Sequence, residues 1–214
     1  MDAYLALFAA ALALMGSPGP ATMSSAGAGA AFGRAALPYV CGIATGTSTV
    51  TAMVAAGLTG LIFALPGVAP VVTALASAYI LYLAWKIATA PPLGTLQAAE
   101  RAPPFLGGYL LAVANPKAYA AMGALFSGFV LIEGDPVGDN LLKVGLLCPF
   151  AFLINITWMQ VGTAIARRLQ NPRASRILNV VFAVALVVSV AMALLIQVVR
   201  SASCCRFIAY FSVA

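Results

Sequence analysis

Six apolar runs follow one another along this chain, and each has the length of a bilayer crossing. They cover about residues 3–27, 38–63, 70–90, 105–131, 141–165 and 177–199. A helix rises about 1.5 Å per residue, so about 20 apolar residues cross the roughly 30 Å of hydrocarbon in a membrane. The hydrocarbon offers no water to backbone polar groups, so each crossing is expected to be helical. The pattern predicts an all-α integral membrane protein with six transmembrane helices.

Composition argues against a soluble class. Hydrophobic residues make up 63% of the 214 positions and charged residues only 7%, far below the roughly 25% charged residues of soluble domains. The net charge of +6 comes from scattered basic residues, which argues against a nucleic-acid partner. We expect residues 1–200 to form one membrane domain. The tail at 201–214, with Cys204 and Cys205, is assigned no role.

The basic residues predict the orientation of the chain. If the amino terminus lies outside, most Lys and Arg side chains fall on the cytoplasmic side, as the positive-inside rule requires. The cytoplasmic positions are Arg34, Lys86, Arg101, Arg167, Arg168, Arg173 and Arg176, and the outer positions are Lys143, Arg200 and Arg206. The sequence therefore predicts a multi-pass protein of the cytoplasmic membrane with both termini outside.

The first and fourth runs are each interrupted by residues that do not fit a helix. The interruptions are Ser-Pro-Gly-Pro at 17–20 and Asn-Pro-Lys at 115–117. They occupy corresponding places in two halves, at about 3–90 and 105–199. Each half contains an odd number of spans, so the halves enter the membrane in opposite directions. The pattern predicts a 3+3 inverted-topology repeat, in which broken helices form the substrate site.

The physical chemistry of the two breaks suits a zwitterion. Proline lacks an amide donor, so each break leaves backbone groups without helical partners. Exposed amides and carbonyls of two half-helices can bind a carboxylate and an ammonium. Lys117 is the only charged residue predicted near the middle of a span, which favours a functional role. The candidate substrate-binding residues are Pro18, Gly19, Pro20, Gly42, Gly46, Asn115, Pro116, Lys117 and Asn155.

Each candidate also has a structural interpretation. Gly42 and Gly46 either leave space for a solute or allow another helix to approach closely. Asn115 and Asn155 either contact substrate or bond between helices. The prolines can bend helices for packing, and Lys117 can clamp freed carbonyls.

Four stretches of the sequence are similar to one known family. They are Ser-Pro-Gly-Pro-Ala at 17–21, the glycine-spaced segment 42–48, the aromatic segment 78–86 and Ala-Asn-Pro-Lys at 114–117. Over about residues 3–195 the chain resembles the LysE/RhtB amino-acid exporters. The resemblance implies export of amino acids or related small zwitterionic metabolites across a bacterial cytoplasmic (inner) membrane, driven by protons through alternating access. Residues 79–91 are most similar to the cysteine and O-acetylserine branch.

Proton coupling has few candidate residues in this chain. The five acids, which are Asp2, Glu100, Glu133, Asp135 and Asp139, lie outside the predicted spans, and histidine is absent. Lys117 is therefore the only candidate proton carrier. No cofactor, metal site or enzymatic activity is predicted. The predicted partners are a small-molecule substrate, membrane lipid and protons, and a homo-oligomer is left open.

Two rival functions remain open from the sequence. Cys148 precedes Pro149, and together with Cys41 it allows a transmembrane thiol-disulfide relay, although the two cysteines enter their spans from opposite sides. A passive small-solute channel is the second rival, because some channels combine six spans, inverted halves and asparagine-proline pairs. Such channels use two matched pairs, whereas this chain has one.

Overall fold

The described part of the chain is helical throughout its regular structure. The computed structural model describes residues 2–57, 68–90, 102–168, 173–174, 176–188, 191 and 195, and no strand occurs among them. The helices are α1 (Asp2–Gly16), α2 (Pro20–Phe32), α3 (Leu37–Ala55), α4 (Val68–Ala88), α5 (Phe105–Val113), α6 (Pro116–Gly128), α7 (Pro136–Arg168) and α8 (Arg176–Val188). The prediction of an all-α protein is confirmed. The predicted tail at 201–214 lies outside the described residues.

The first and fourth predicted spans are each built from two helices. Residues 17–19 separate α1 from α2, and Ala114 and Asn115 separate α5 from α6. Both predicted interruptions are therefore present. At the other end of α2, Gly33 has a φ of 56°, a conformation that glycine adopts without a Cβ clash. The chain then passes through a 3-10 turn, Gly33–Ala36, into α3.

Two core clusters show the direction in which each helix runs. Cluster 1 contains Ala28, Ala31, Phe32, Ala36, Tyr39, Val40, Ile43, Ile80, Leu83, Ala84, Ile87, Leu111, Ala112, Met159, Ala183 and Leu186. Cluster 2 contains Leu7, Ala11, Val50, Ala118, Ala121, Met122, Leu125 and Leu147. Helix α3 runs from cluster 1 to cluster 2, and so does the pair α5 and α6. The pair α1 and α2 runs the opposite way, as does α7.

Glycines allow α3 and α5 to touch backbone to backbone. A Cβ at Gly42 would overlap the carbonyl of Phe105, and a Cβ at Gly108 would overlap the carbonyl of Tyr39. A Cβ at Gly46 would lie 2.6 Å from the Tyr109 oxygen. Such close approach maximises dispersion contacts where lipid weakens the hydrophobic driving force between helices. Gly42 and Gly46 therefore lie at a close contact between α3 and α5, which is the packing role that the sequence allowed for them.

A second glycine crossing joins α2 to α7. A Cβ at Gly29 would overlap the carbonyl of Met159, and one at Gly162 would overlap the carbonyl of Ala26. The Thr163 hydroxyl donates to the Gly29 carbonyl oxygen at 2.9 Å across the same crossing. Both crossings involve the cluster 1 end of the bundle, so that end is tightly packed.

The outer surface carries large apolar side chains suited to lipid. Leu75 on α4 is 67% exposed, and Leu141 and Leu153 on α7 are 66% and 59% exposed. Helix α7 has 33 residues, about 50 Å at 1.5 Å per residue, which exceeds the roughly 30 Å hydrocarbon core. A soluble monomer rarely exposes apolar surface on this scale, whereas hydrocarbon favours it.

Among the described residues, Lys143 and Asp139 form a buried charged pair. The Lys143 ammonium is 2.6 Å from the Asp139 carboxylate, one turn away on α7, and these side chains are only 1% and 8% exposed. Lys143 also donates to the carbonyls of Phe126 and Phe129. From the sequence, Lys143 is expected only to contribute to the orientation of the chain, at the edge of a span. Its burial follows from these two carbonyls beyond α7, which no spacing along that helix reveals.

Candidate functional site

The first break frees carbonyls because two amide donors are missing. In a continuous helix, the Leu14 and Gly16 carbonyls would accept from residues 18 and 20, but both of those are proline. The Ser17 hydroxyl donates to the Leu14 oxygen at 3.0 Å. The Trp158 indole, on α7, donates to the Gly16 oxygen at 3.1 Å. Side chains therefore supply the donors that proline removes, and α1 ends without unpaired carbonyls at these positions.

Thr22 binds the next carbonyls of the same break. Its hydroxyl lies 3.1 Å from the Ser17 oxygen and 3.2 Å from the Gly19 oxygen. Thr22 is 3% exposed, so these bonds are formed away from water. The hydroxyl ties the bend to the first turn of α2.

The second break is a capped helix start. Asn115 adopts an extended conformation before α6, and its side-chain oxygen accepts from the Lys117 amide at 3.1 Å. Pro116 occupies the first turn of α6, where its missing amide costs nothing. The Ala112 carbonyl, which loses residue 116 as a donor, accepts from the Asn115 amide at 3.2 Å. The Asn-Pro pair thus both ends α5 and starts α6.

Lys117 joins the two breaks. Its ammonium donates to the Ser17 carbonyl oxygen at 2.6 Å and to the Pro18 oxygen at 3.2 Å. Gly19 gives the side chain room, since a Cβ there would lie 2.8 Å from the Lys117 Cδ and 2.9 Å from its Nζ. The structure therefore brings Pro18, Gly19 and Lys117 together, with a cation held on backbone oxygens.

A small cavity lies beside this contact. It is lined by Leu14, Met15, Gly19, Ala21, Thr22, Thr47, Asn115, Lys117, Ala118, Ala121, Met122 and Asn155. Its volume is about 40 Å³, which is room for about three water molecules. Three waters contain fewer non-hydrogen atoms than the smallest amino acid does. The site must widen before it can hold such a substrate.

The nine predicted site residues fall into three groups. Gly19, Asn115, Lys117 and Asn155 line the cavity. Pro18 is exposed at the bend, and Pro20 and Pro116 begin α2 and α6. Gly42 and Gly46 lie instead where α3 contacts α5. Asn155 reaches the site from α7, where its side-chain oxygen accepts from Ser25 at 3.1 Å and its amide donates to the Ala151 carbonyl at 2.8 Å.

Eight of the twelve residues that line the cavity were missed by sequence reasoning, and three of them are instructive. Thr22 follows the first break, and Thr47 lies between Gly46 and Ser48 in the small-residue segment of α3. Hydroxyls next to helix-breaking residues were an available signal for Thr22. Met122 carried no signal, because methionine is common among apolar core residues.

Trp158 faces a neighbouring groove. That groove, of about 480 Å³, is lined by Leu12, Ala13, Gly16, Ser17, Phe150, Leu153, Ile154, Thr157 and Trp158. Gly16 and Ser17 line this groove, whereas Met15 and Gly19, on either side of them in the chain, line the small cavity. Trp158 therefore does not line the small cavity, and it contacts the first break through its hydrogen bond to the Gly16 carbonyl.

Comparison with known protein families finds a match that covers most of the chain. The family model of the LysE type translocator matches residues 12–198, which include both breaks and every residue that lines the small cavity. The chain belongs to the LysE type translocator family. The translocator is therefore a membrane transporter of amino acids or small solutes. Comparisons with curated proteins and with solved structures found no match.

Proposed function

We propose that the translocator exports small zwitterionic amino acids or their derivatives by alternating access, with the substrate bound between the two helix breaks. The observation that carries this proposal is the hydrogen bond from the Lys117 ammonium to the Ser17 carbonyl. It places a cation and backbone oxygens at one point where two helices are interrupted. A zwitterion presents the complementary pair of charges.

The direction of the helices supports an inverted repeat. Helices α1 and α2 run opposite to α3, whereas α5 and α6 run with α3, as the two core clusters indicate. The first and fourth spans therefore run in opposite directions, as inversion of two three-span halves requires. We propose six spans in a bacterial cytoplasmic membrane with both termini outside. Proton exchange at Lys117 is proposed to couple transport to the proton gradient.

The thiol relay is less well supported than transport. Cys41 precedes Gly42, beside Tyr39 and Val40 of cluster 1, whereas Cys148 follows Leu147 of cluster 2. Both cysteines are free. A disulfide needs Cα atoms within about 7 Å, which residues at opposite ends of the bundle do not meet. Replacing both with alanine is expected to leave export unchanged. Cys204 and Cys205 lie outside the described residues.

Efflux measurement tests the proposal. Cells or vesicles preloaded with a labelled amino-acid panel are compared for the intact chain, Pro18→Ala and Lys117→Ala. Saturable efflux of a few zwitterions that both variants abolish supports the proposal. Lys86→Ala is the matched control, because Lys86 lies in the last turn of α4 and not at the cavity. If efflux from membranes with the intact chain equals efflux from membranes without it, the proposed export function is wrong. Flux without saturation would favour a channel.

A further inference from the structure

The small cavity has the chemistry of a selective side-chain pocket. We propose, on the basis of the proposed function, that it accepts amino acids with small uncharged side chains and rejects those with cationic side chains. Two independent properties of the lining carry this inference: the placement of its charge, and the length of its apolar part.

The charge at the cavity has one sign. Among the residues that the structure describes, Lys117 is the only charged one that lines it. Among the described residues, Asp139 is the only buried acid, and its carboxylate is paired with Lys143 and does not line the cavity. A cationic side chain would enter beside an ammonium, without an acid to offset the repulsion.

The groups present suffice for one zwitterion. A substrate carboxylate attracts the Lys117 ammonium away from the Ser17 and Pro18 carbonyls, where it is bonded without substrate. Those two oxygens are then free to accept from the substrate's α-ammonium. Among the described lining residues, a second ammonium on a side chain would meet only uncharged oxygens, those of Thr22, Thr47, Asn115 and Asn155. Burying a cation without an acidic partner is costly.

The rest of the lining limits side-chain length. Ala118, Ala121 and Met122 follow Lys117 along α6 and face the cavity. One helical turn spans about 5.4 Å, which is the reach of a short side chain. Met122 is 1% exposed, and its sulfur accepts from the Thr51 hydroxyl at 3.2 Å. The same hydroxyl lies 2.9 Å from the Thr47 carbonyl oxygen, so packing within cluster 2 also holds Met122. We expect Met122 to keep this position when the site widens, so that a longer substrate side chain would collide with it.

Counterflow with the full chain in proteoliposomes tests the selection. Vesicles loaded with unlabelled alanine are given labelled glycine, alanine, serine, leucine or lysine. Glycine, alanine and serine are expected to exchange most efficiently, and lysine is expected to remain at the level of protein-free vesicles. Saturable exchange of lysine with an efficiency equal to that of alanine would overturn charge selection.

Two variants test the length limit in opposite directions. Met122→Ala is expected to raise the transport efficiency of leucine relative to alanine by about tenfold, the scale on which pockets discriminate a methylene. Ala121→Leu is expected to lower serine and alanine relative to glycine. Met53→Ala is the matched control, because Met53 lies on α3 and does not line the cavity. If a variant folds and its transport efficiencies for these amino acids, relative to one another, equal those of the parent, the length limit is wrong.

The failures of the two proposals differ in this experiment. If no amino acid exchanges above the protein-free level, the proposed export function is wrong. If amino acids exchange but lysine or leucine equals alanine, export stands and the selective pocket is wrong.

Discussion

The ammonium of Lys117 lies 2.6 Å from the carbonyl oxygen of Ser17, although the two residues are separated by 100 positions in the chain. The contact joins the two interrupted helices at the same place. Ser17 precedes two prolines and Lys117 follows one, so each partner exists because a helix is broken there. The contact also means that movement of α6 against α1 must break or remake a charge-assisted hydrogen bond.

Lys117→Gln separates hydrogen bonding from proton exchange. Glutamine can still donate to the Ser17 carbonyl, but it cannot carry a proton. We expect export to fall about tenfold, the scale of a lost charge-assisted hydrogen bond, and its dependence on pH to disappear. Efflux at a series of pH values measures both effects, with Lys86→Gln as control. Full export with an unchanged pH profile would show that Lys117 is not the proton carrier.

Lys143→Met is expected to destabilise the protein by about 3–5 kcal/mol, because it leaves the buried Asp139 carboxylate without its cation. Adding Asp139→Asn should recover part of this loss, since the uncompensated charge is removed. Thermal unfolding in detergent measures the free energies. Glu133→Gln, at an exposed position in the loop before α7, serves as control. A single variant as stable as the parent would contradict the importance of the pair.

Gly162→Ala and Gly145→Ala make the same change at two places on α7. At Gly162 the new Cβ overlaps the Ala26 carbonyl, whereas at Gly145 it meets nothing within 4 Å. We expect Gly162→Ala to cost about 1–3 kcal/mol through overpacking. Gly145→Ala should stabilise the helix by about 0.5–1 kcal/mol. Unfolding midpoints compare the two, and equal effects would argue against a tight crossing of α2 and α7.

Trp158→Phe removes the indole donor from the Gly16 carbonyl but preserves an aromatic ring. The Gly16 carbonyl is partly buried, and an ordinary hydrogen bond contributes about 0.5–1.5 kcal/mol, so we expect stability to fall by about this amount and the first break to be weakened. Trp85→Phe is the control, because Trp85 is 64% exposed on α4. Unfolding and export are measured for both variants. If Trp158→Phe and Trp85→Phe behave alike, the Gly16 hydrogen bond contributes little.

The positions of the breaks followed from the sequence because proline acts locally. A missing amide and a ring clash disrupt a helix whatever surrounds it, so residues 17–20 and 115–117 could be identified without a structure. The length of the apolar runs likewise predicted helices on physical grounds that involve the bilayer alone. The all-α fold and the membership of a membrane translocator family agree with that reasoning.

The tertiary structure decided which residues face one another. From sequence spacing, Gly42 could line a solute cavity or lie at a helix contact. In the structure it lies against the backbone of α5. The same holds for Lys143, whose partners at 126 and 129 lie beyond its own helix. The sequence by itself determined where helices form and break, because those effects act within a few residues. Cavity walls, buried charges and helix crossings depend on contacts between distant segments, so only the folded chain decides them.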